Sequence, residues 1–167
     1  LGPDYEVALH DMTDKNRSIV AIANNHISGR EIGAPLTNVA LKILMDKSYE
    51  TQDYRLHYCG LSAEGKTLRS STMFIKHNGK LVGMLCINFD DSRYLAASEN
   101  VLRLCHPDIF IDDHIAPQQA EPGDPFPRAV PATTESFHNS IDAVAGDAVG
   151  RELIRLGVTA DRLTPDE

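Results

Sequence analysis

The chain has 167 residues, of which 42% are hydrophobic and 24% charged, an ordinary balance for one globular domain with a real core. A formal net charge of −8 repels phosphate backbones, so these residues by themselves are poorly suited to nucleic acid. No apolar run approaches the roughly 18 residues a membrane-spanning helix needs, and the opening residues lack the basic-then-apolar pattern of a secretory leader. The three cysteines, Cys59, Cys86 and Cys105, are odd in number, and the pattern predicts buried free thiols in a reducing cytoplasm.

Residues 5–11 and 18–23 read as two strands joined by the polar turn Asp14-Lys15-Asn16-Arg17. Asn24 to Pro35, with Gly29 and Gly33, reads as a structured loop. Leu36, Ala40, Ile43 and Leu44 then repeat at helical spacing. Three strands follow, at Tyr54–Cys59, Thr67–His77 and Lys80–Asp90. Asn78-Gly79 between the last two is a strong hairpin signal. The third of these strands is apolar on both faces, so its sheet needs cover on both sides, from a helix on one and a further helix or second subunit on the other.

Asp91 to Cys105 carries a helical stripe of Tyr94, Leu95, Val101, Leu102 and Cys105. Residues 107–132 hold six of the nine prolines and read as a linker. Thr133 and Thr134 are expected to open a connecting helix over 133–157, with Phe137, Ile141 and Val144 on one face. Thr164, Pro165 and Glu167 have the spacing of a helix N-terminus, so residues 158–167 are expected to introduce a further domain. The expected fold class is α+β: a PAS-like five-stranded antiparallel sheet with helices on one face, built from residues 1–106, plus a C-terminal linker helix.

Gly60-Leu61-Ser62-Ala63-Glu64-Gly65-Lys66-Thr67 satisfies the phosphate-loop pattern letter for letter. That mechanism needs a helix directly after the loop, whose amides cradle phosphate. Leu68 to Ile75 is strand-like instead, so a β-turn is the better account. The histidines are scattered and no Cys-x-x-Cys occurs, which leaves no metal site or cofactor to name. No nucleophile can be paired with a base, so the residues point away from an enzyme.

The candidate binding residues are the polar groups of a loop at a strand end and polar residues inside strands that otherwise suit a core. Asn24, His26, Ser28 and Arg30 follow an apolar strand directly, where loops furnish small-molecule sites. Arg69, Ser71 and Asn88 interrupt core strands, and Arg69 and Ser71 share a strand face, so both can reach one ligand.

Residues Gly2 to Asp11, Ile22 to Arg30, Leu68 to Thr72 and Leu85 to Asp90 closely resemble the YheO-like PAS domain. That domain is the N-terminal half of a group of bacterial helix-turn-helix regulators that includes the D-arginine utilisation type. The resemblance implies a PAS fold, a dimeric cytoplasmic regulator, a small-molecule effector at the sheet and a C-terminal helix-turn-helix that contacts DNA. The resulting expectation is a homodimeric sensor that binds a small polar, amino-acid-like metabolite, touching DNA only through the further domain and no membrane. Its alternatives are a dimerisation module with no ligand, and a small enzyme with no identifiable catalytic set.

Overall fold

A computed structural model describes residues 1–106 and 134–156. The expected linker at 107–132 and the expected start of a further domain at 158–167 lie outside the described residues.

Five long or medium strands form the body of one sheet: β1 (Tyr5–Asp11), β2 (Ile19–Ala23), β3 (Tyr54–Leu61), β4 (Thr67–His77) and β5 (Lys80–Asp90). All neighbours among them run antiparallel, as expected. A sixth strand, β6 (Glu135–Ser136), was not foreseen; it pairs parallel to the free edge of β3, giving the order β2-β1-β5-β4-β3-β6. The sheet is therefore mixed and six-stranded.

Turn chemistry sets the β4–β5 register. Asn78 and Gly79 have φ of 49° and 75°, the left-handed pair that a tight hairpin of the correct twist requires. The phosphate-loop lookalike is the β3–β4 turn: Ser62 N–H donates to the Lys66 carbonyl at 2.9 Å and Gly65 N–H to the Ser62 carbonyl at 3.0 Å. β4 begins at once, so no helix N-terminus is available for phosphate.

Helix α1 (Asn38–Asp46) starts at Thr37, whose hydroxyl accepts from the Ala40 amide at 3.2 Å. It ends at Lys47, in the left-handed conformation with φ of 54°. Val39, Ala40 and Ile43 of α1 pack with Leu36, Ala8, Met84, Cys86, Tyr58 and Phe74 to make the core on one face of the sheet. Burying an aliphatic side chain of this size contributes about 1.5–3 kcal/mol. This is the inner face.

Across the sheet, Tyr5, Val7, Leu9, Leu85, Ile87 and Phe89 are only half-buried. Helix α2 (Ser92–Cys105) buries none of its residues and touches the sheet through Tyr94, whose ring lies 5.4 Å from Phe89. Of the three free cysteines only Cys86 is buried; Cys59 is partly exposed and Cys105 exposed, which corrects the expectation of buried thiols.

The connecting helix is shorter than expected. Helix α3 spans Ile141–Leu156, and residues 134–137 are extended, with Phe137 buried against Ile27 and Leu68. The hydroxyl-rich start resembles a helix cap, yet Thr134 to Phe137 gain more by joining the β3 edge. Gly60, opposite Glu135, has no side chain, and the Phe137 ring fills that space; a Cβ there would lie 2.7 Å from Phe137 Cε2. No helix of the described residues is long and apolar enough to cross a membrane.

Candidate functional site

The inner face carries polar side chains in the middle of the core. Glu6 and His10 project from β1, Asn88 and Cys86 from β5, Ser70 and Thr72 from β4 and Tyr58 from β3. Cross-strand pairing places Glu6 beside Asn88, Asn88 beside Ser70, and Ser70 beside Tyr58. Paired residues on one face lie about 4.5–5.5 Å apart at Cβ, so the four make a continuous polar row.

Glu6 is fully buried, and its carboxylate accepts three hydrogen bonds. The Asn88 amide donates to Oε1 at 2.8 Å; the Ser28 hydroxyl and amide donate to Oε2 at 2.6 and 3.2 Å. Arg30 lies over the same face, 2% exposed. Its Nε donates to the His138 carbonyl at 3.3 Å, its Nη2 to the Pro35 carbonyl, and its amide to Ser28 Oγ at 3.2 Å. Burial pulls the Arg30 pKa below its usual value, while the Glu135 and Glu6 carboxylates act to hold its charge.

Glu135 reaches into this row from β6, 2% exposed. The Thr37 hydroxyl donates to its Oε1 at 2.6 Å. Burial raises its pKa, opposed by Thr37, by the Arg30 charge and by the Tyr58 and Ser70 hydroxyls that face it. Tyr58 Oη and Thr72 Oγ1 are 2.8 Å apart and Thr72 Oγ1 and Cys86 Sγ 3.2 Å, extending the network across the sheet. Burial pushes the Cys86 thiol up to about 12, which keeps it protonated.

His10 closes the far end. Its pKa falls to about 3 through burial and the nearby Arg30 charge, so it is neutral at physiological pH. His10 Nδ1 lies 2.9 Å from Ser18 Oγ, and that hydroxyl donates to the Ala34 carbonyl at 3.2 Å. The Nδ1–H tautomer fits this chain of bonds, because the Ser18 proton is already committed.

The network is incomplete. Among the described residues, Ser70 Oγ, Asn88 Oδ1 and Glu135 Oε2 are buried with no hydrogen-bond partner. Each such atom costs about 1–3 kcal/mol unless something satisfies it. No three His, Cys, Asp or Glu among the described residues could hold a metal ion together.

Of the seven residues singled out from sequence, Ser28, Arg30 and Asn88 come together here. Asn24 is exposed in a left-handed conformation with φ of 56°, and its amide ties the loop to the Tyr5 carbonyl at 2.7 Å. His26 is exposed in the same loop. Arg69 and Ser71 do share a strand face, but it is the outer one. The Arg69 guanidinium stacks 5.2 Å over Phe89, and Ser71 Oγ accepts from the His57 amide at 3.2 Å. The cause is parity: Leu68 and Phe74 are core residues, so Ser70 and Thr72 face inward between them.

Glu6, His10, Thr37, Tyr58, Ser70, Thr72 and Glu135 were not foreseen. The alternation of Glu6-Val7-Ala8-Leu9-His10 holds the signal for two of them, although read by hydrophobicity it buries the wrong side. A cleft of about 490 Å³ is bordered by His10, at the far end of the network, together with Leu9, Met12, Val20, Leu81 and Val82. It touches none of Glu6, Ser70, Asn88 and Glu135.

Known proteins match part of this chain in sequence. A protein of Escherichia coli strain K12 called "Uncharacterized protein YheO" is 32% identical over 91 residues, which are 54% of this chain and 38% of that protein. The Shigella flexneri protein of the same name matches to the same extent. A Haemophilus influenzae protein is 28% identical over 91 residues, 54% of this chain and 40% of its own. The match thus spans well under half the length of these relatives. Residues 1–106 match the YheO-like PAS domain, and they contain β1 to β5, α1, α2 and every inner-face group named above except Glu135 and His138. The chain therefore belongs to the YheO-like PAS family, which suggests a regulatory, sensory domain.

Proposed function

We propose that the chain is the ligand-sensing and dimerisation part of a bacterial, cytoplasmic DNA-binding transcriptional regulator, with a small polar metabolite bound on the inner face of the sheet. The observation that carries this reading is Asn88 Oδ1, on a residue 1% exposed and without a partner, next to Ser70 Oγ, which faces the Glu135 carboxylate without completing a hydrogen bond of good geometry. A fold that only needed a core would fill these positions with apolar groups, since unpaired buried polar atoms are costly. A bound metabolite supplies the missing partners. Arg30 and Ser28 contribute further polar contacts there. Asn24 and His26 serve as the rim of the loop, while Arg69 and Ser71, on the outer face, leave the proposed contact set. DNA contact belongs to a helix-turn-helix domain following the residues described.

The experiment is a thermal-shift screen of the chain against amino acids and small carboxylic acids. A ligand at a hundredfold excess over its Kd adds about 2.7 kcal/mol. For a chain of this size that is a shift of about 5–10 °C. A flat screen at millimolar concentrations would sink the sensor reading.

The homodimer rests on the outer face. Val7, Leu9, Leu85 and Ile87 form an apolar row without local cover, and Leu95, Val101 and Leu104 of α2 are exposed. A second copy laid on this row removes both from water. Light scattering at micromolar concentration is expected to give twice 18.4 kDa, and a monomer mass would count against this arrangement.

A further inference from the structure

Glu135 places a buried carboxylate among the polar groups of the inner face. It belongs to a two-residue strand, brought to the sheet from 29 positions beyond residue 106, where the family's match ends, so its presence among the inner-face groups is a matter of tertiary docking. Its carboxylate takes the Thr37 hydroxyl at 2.6 Å, faces the Tyr58 and Ser70 hydroxyls and lies in the field of Arg30. Hydroxyl donors and a guanidinium are what a free carboxylate needs when taken out of water. The fit is imperfect, because Glu135 Oε2 and Ser70 Oγ face each other without completing a hydrogen bond of good geometry.

We propose that Glu135 is a built-in stand-in for a small carboxylate ligand, and that such a ligand binds at Thr37, Ser70, Tyr58 and Arg30 by displacing β6. The proposal rests on the sensor reading of the same face and names its ligand class and its release mechanism. A tethered carboxylate cannot adjust freely, whereas a free one can reach Ser70 as well as Thr37. The exchange is therefore between an imperfect internal partner and a better external one.

The attachments of β6 are of a kind that can be given up together. Two positions pair with β3, at Gly60 and Leu61. The Asn38 side chain donates to the Thr134 carbonyl at 2.9 Å and accepts from the Ser136 amide at 2.9 Å. Asn139 bridges to the Gly29 carbonyl at 2.9 Å and to the Glu31 amide at 3.2 Å. Phe137 seats over Gly60. From α3, Arg151 donates to the Thr134 carbonyl at 2.8 Å and to Ser136 Oγ, and pairs with Asp147 at 3.0 Å. Release of Glu135 thus also removes the strand to which α3 is tied. Ligand exchange at Thr37 becomes a change in how α3 is held, which is the differential contact that a switch needs.

The test uses the full 167-residue chain with Glu135→Ala, and acetate as the probe. In the wild type the plug lowers apparent affinity by the fraction of time the site is open, so its removal is expected to tighten acetate binding by about tenfold or more. The readout is the saturable rise in melting temperature at fixed ionic strength, with acetamide as the uncharged control. Adding Thr37→Val to Glu135→Ala is expected to abolish the rise. Should Glu135→Ala be unfolded in plain buffer, acetate is expected to restore its circular-dichroism melt, and no restoration would overturn the proposal. Equal acetate response in wild type and Glu135→Ala would overturn it too. If the wild type nonetheless answers a metabolite, the sensor reading stands without the plug. Acetate rescue beside a flat wild-type screen would keep the plug and remove the sensor reading.

Discussion

Replacing Arg30 with methionine is expected to lower the unfolding free energy by about 3 kcal/mol, measured by urea denaturation at neutral pH. The guanidinium is 2% exposed and works as a strut between three parts of the chain. It donates to the Pro35 carbonyl ahead of α1 and to the His138 carbonyl ahead of α3, and it offsets the charges of Glu6 and Glu135. Methionine fills a similar volume but leaves two carbonyls unpaired and two carboxylates without a cation. Arg30→Lys is expected to recover less than half the loss, because one ammonium cannot reproduce the fork that serves both carbonyls. A loss for methionine below about 1 kcal/mol would mean that the buried charge contributes little to the fold.

The second large effect is at Glu6. Glu6→Ala removes the acceptor of three hydrogen bonds and strands the Ser28 hydroxyl, the Ser28 amide and the Asn88 amide. The expected loss is about 3–5 kcal/mol, from stranded donors together with a cavity. Glu6→Gln is expected to behave quite differently, losing about 1 kcal/mol. Its oxygen can keep both Ser28 bonds, and its amide can donate to Asn88 Oδ1 once the Asn88 amide turns over. That oxygen has no partner to lose. Equal losses for alanine and glutamine would contradict this account and place the importance of Glu6 in its charge.

Both residues illustrate what the sequence could and could not reveal. The ranges of β1, β4 and β5 were readable to within a residue, because Asn78-Gly79 demands a hairpin and Thr67 to His77 favours a strand. Ser28 and Arg30 were readable as part of a polar loop that follows an apolar strand, and Asn88 as a polar group inside a core strand. Glu6 was not, since Tyr5, Val7 and Leu9 give β1 an apolar face that hydrophobicity alone turns inward. In the fold that row lies half-buried on the outer face, while Glu6, Ala8 and His10 line the core. The same parity problem exchanged Ser70 and Thr72 for Arg69 and Ser71. Register decides parity, and one residue of slip reverses every side chain. Glu135 was hidden for another reason. A strand of two residues has no period, and the threonines before it carry a competing helix-cap signal.

Whether the polar row on the inner face receives a ligand is tested by a ¹H–¹⁵N NMR titration with the compound that passes the thermal-shift screen. The expected result is that the largest perturbations fall on Ser28, Arg30, Ser70 and Asn88. Perturbations confined to Met12, Thr13, Val20 and Leu81–Gly83, in the cleft beyond His10, would contradict the account and move the ligand away from the core of the sheet.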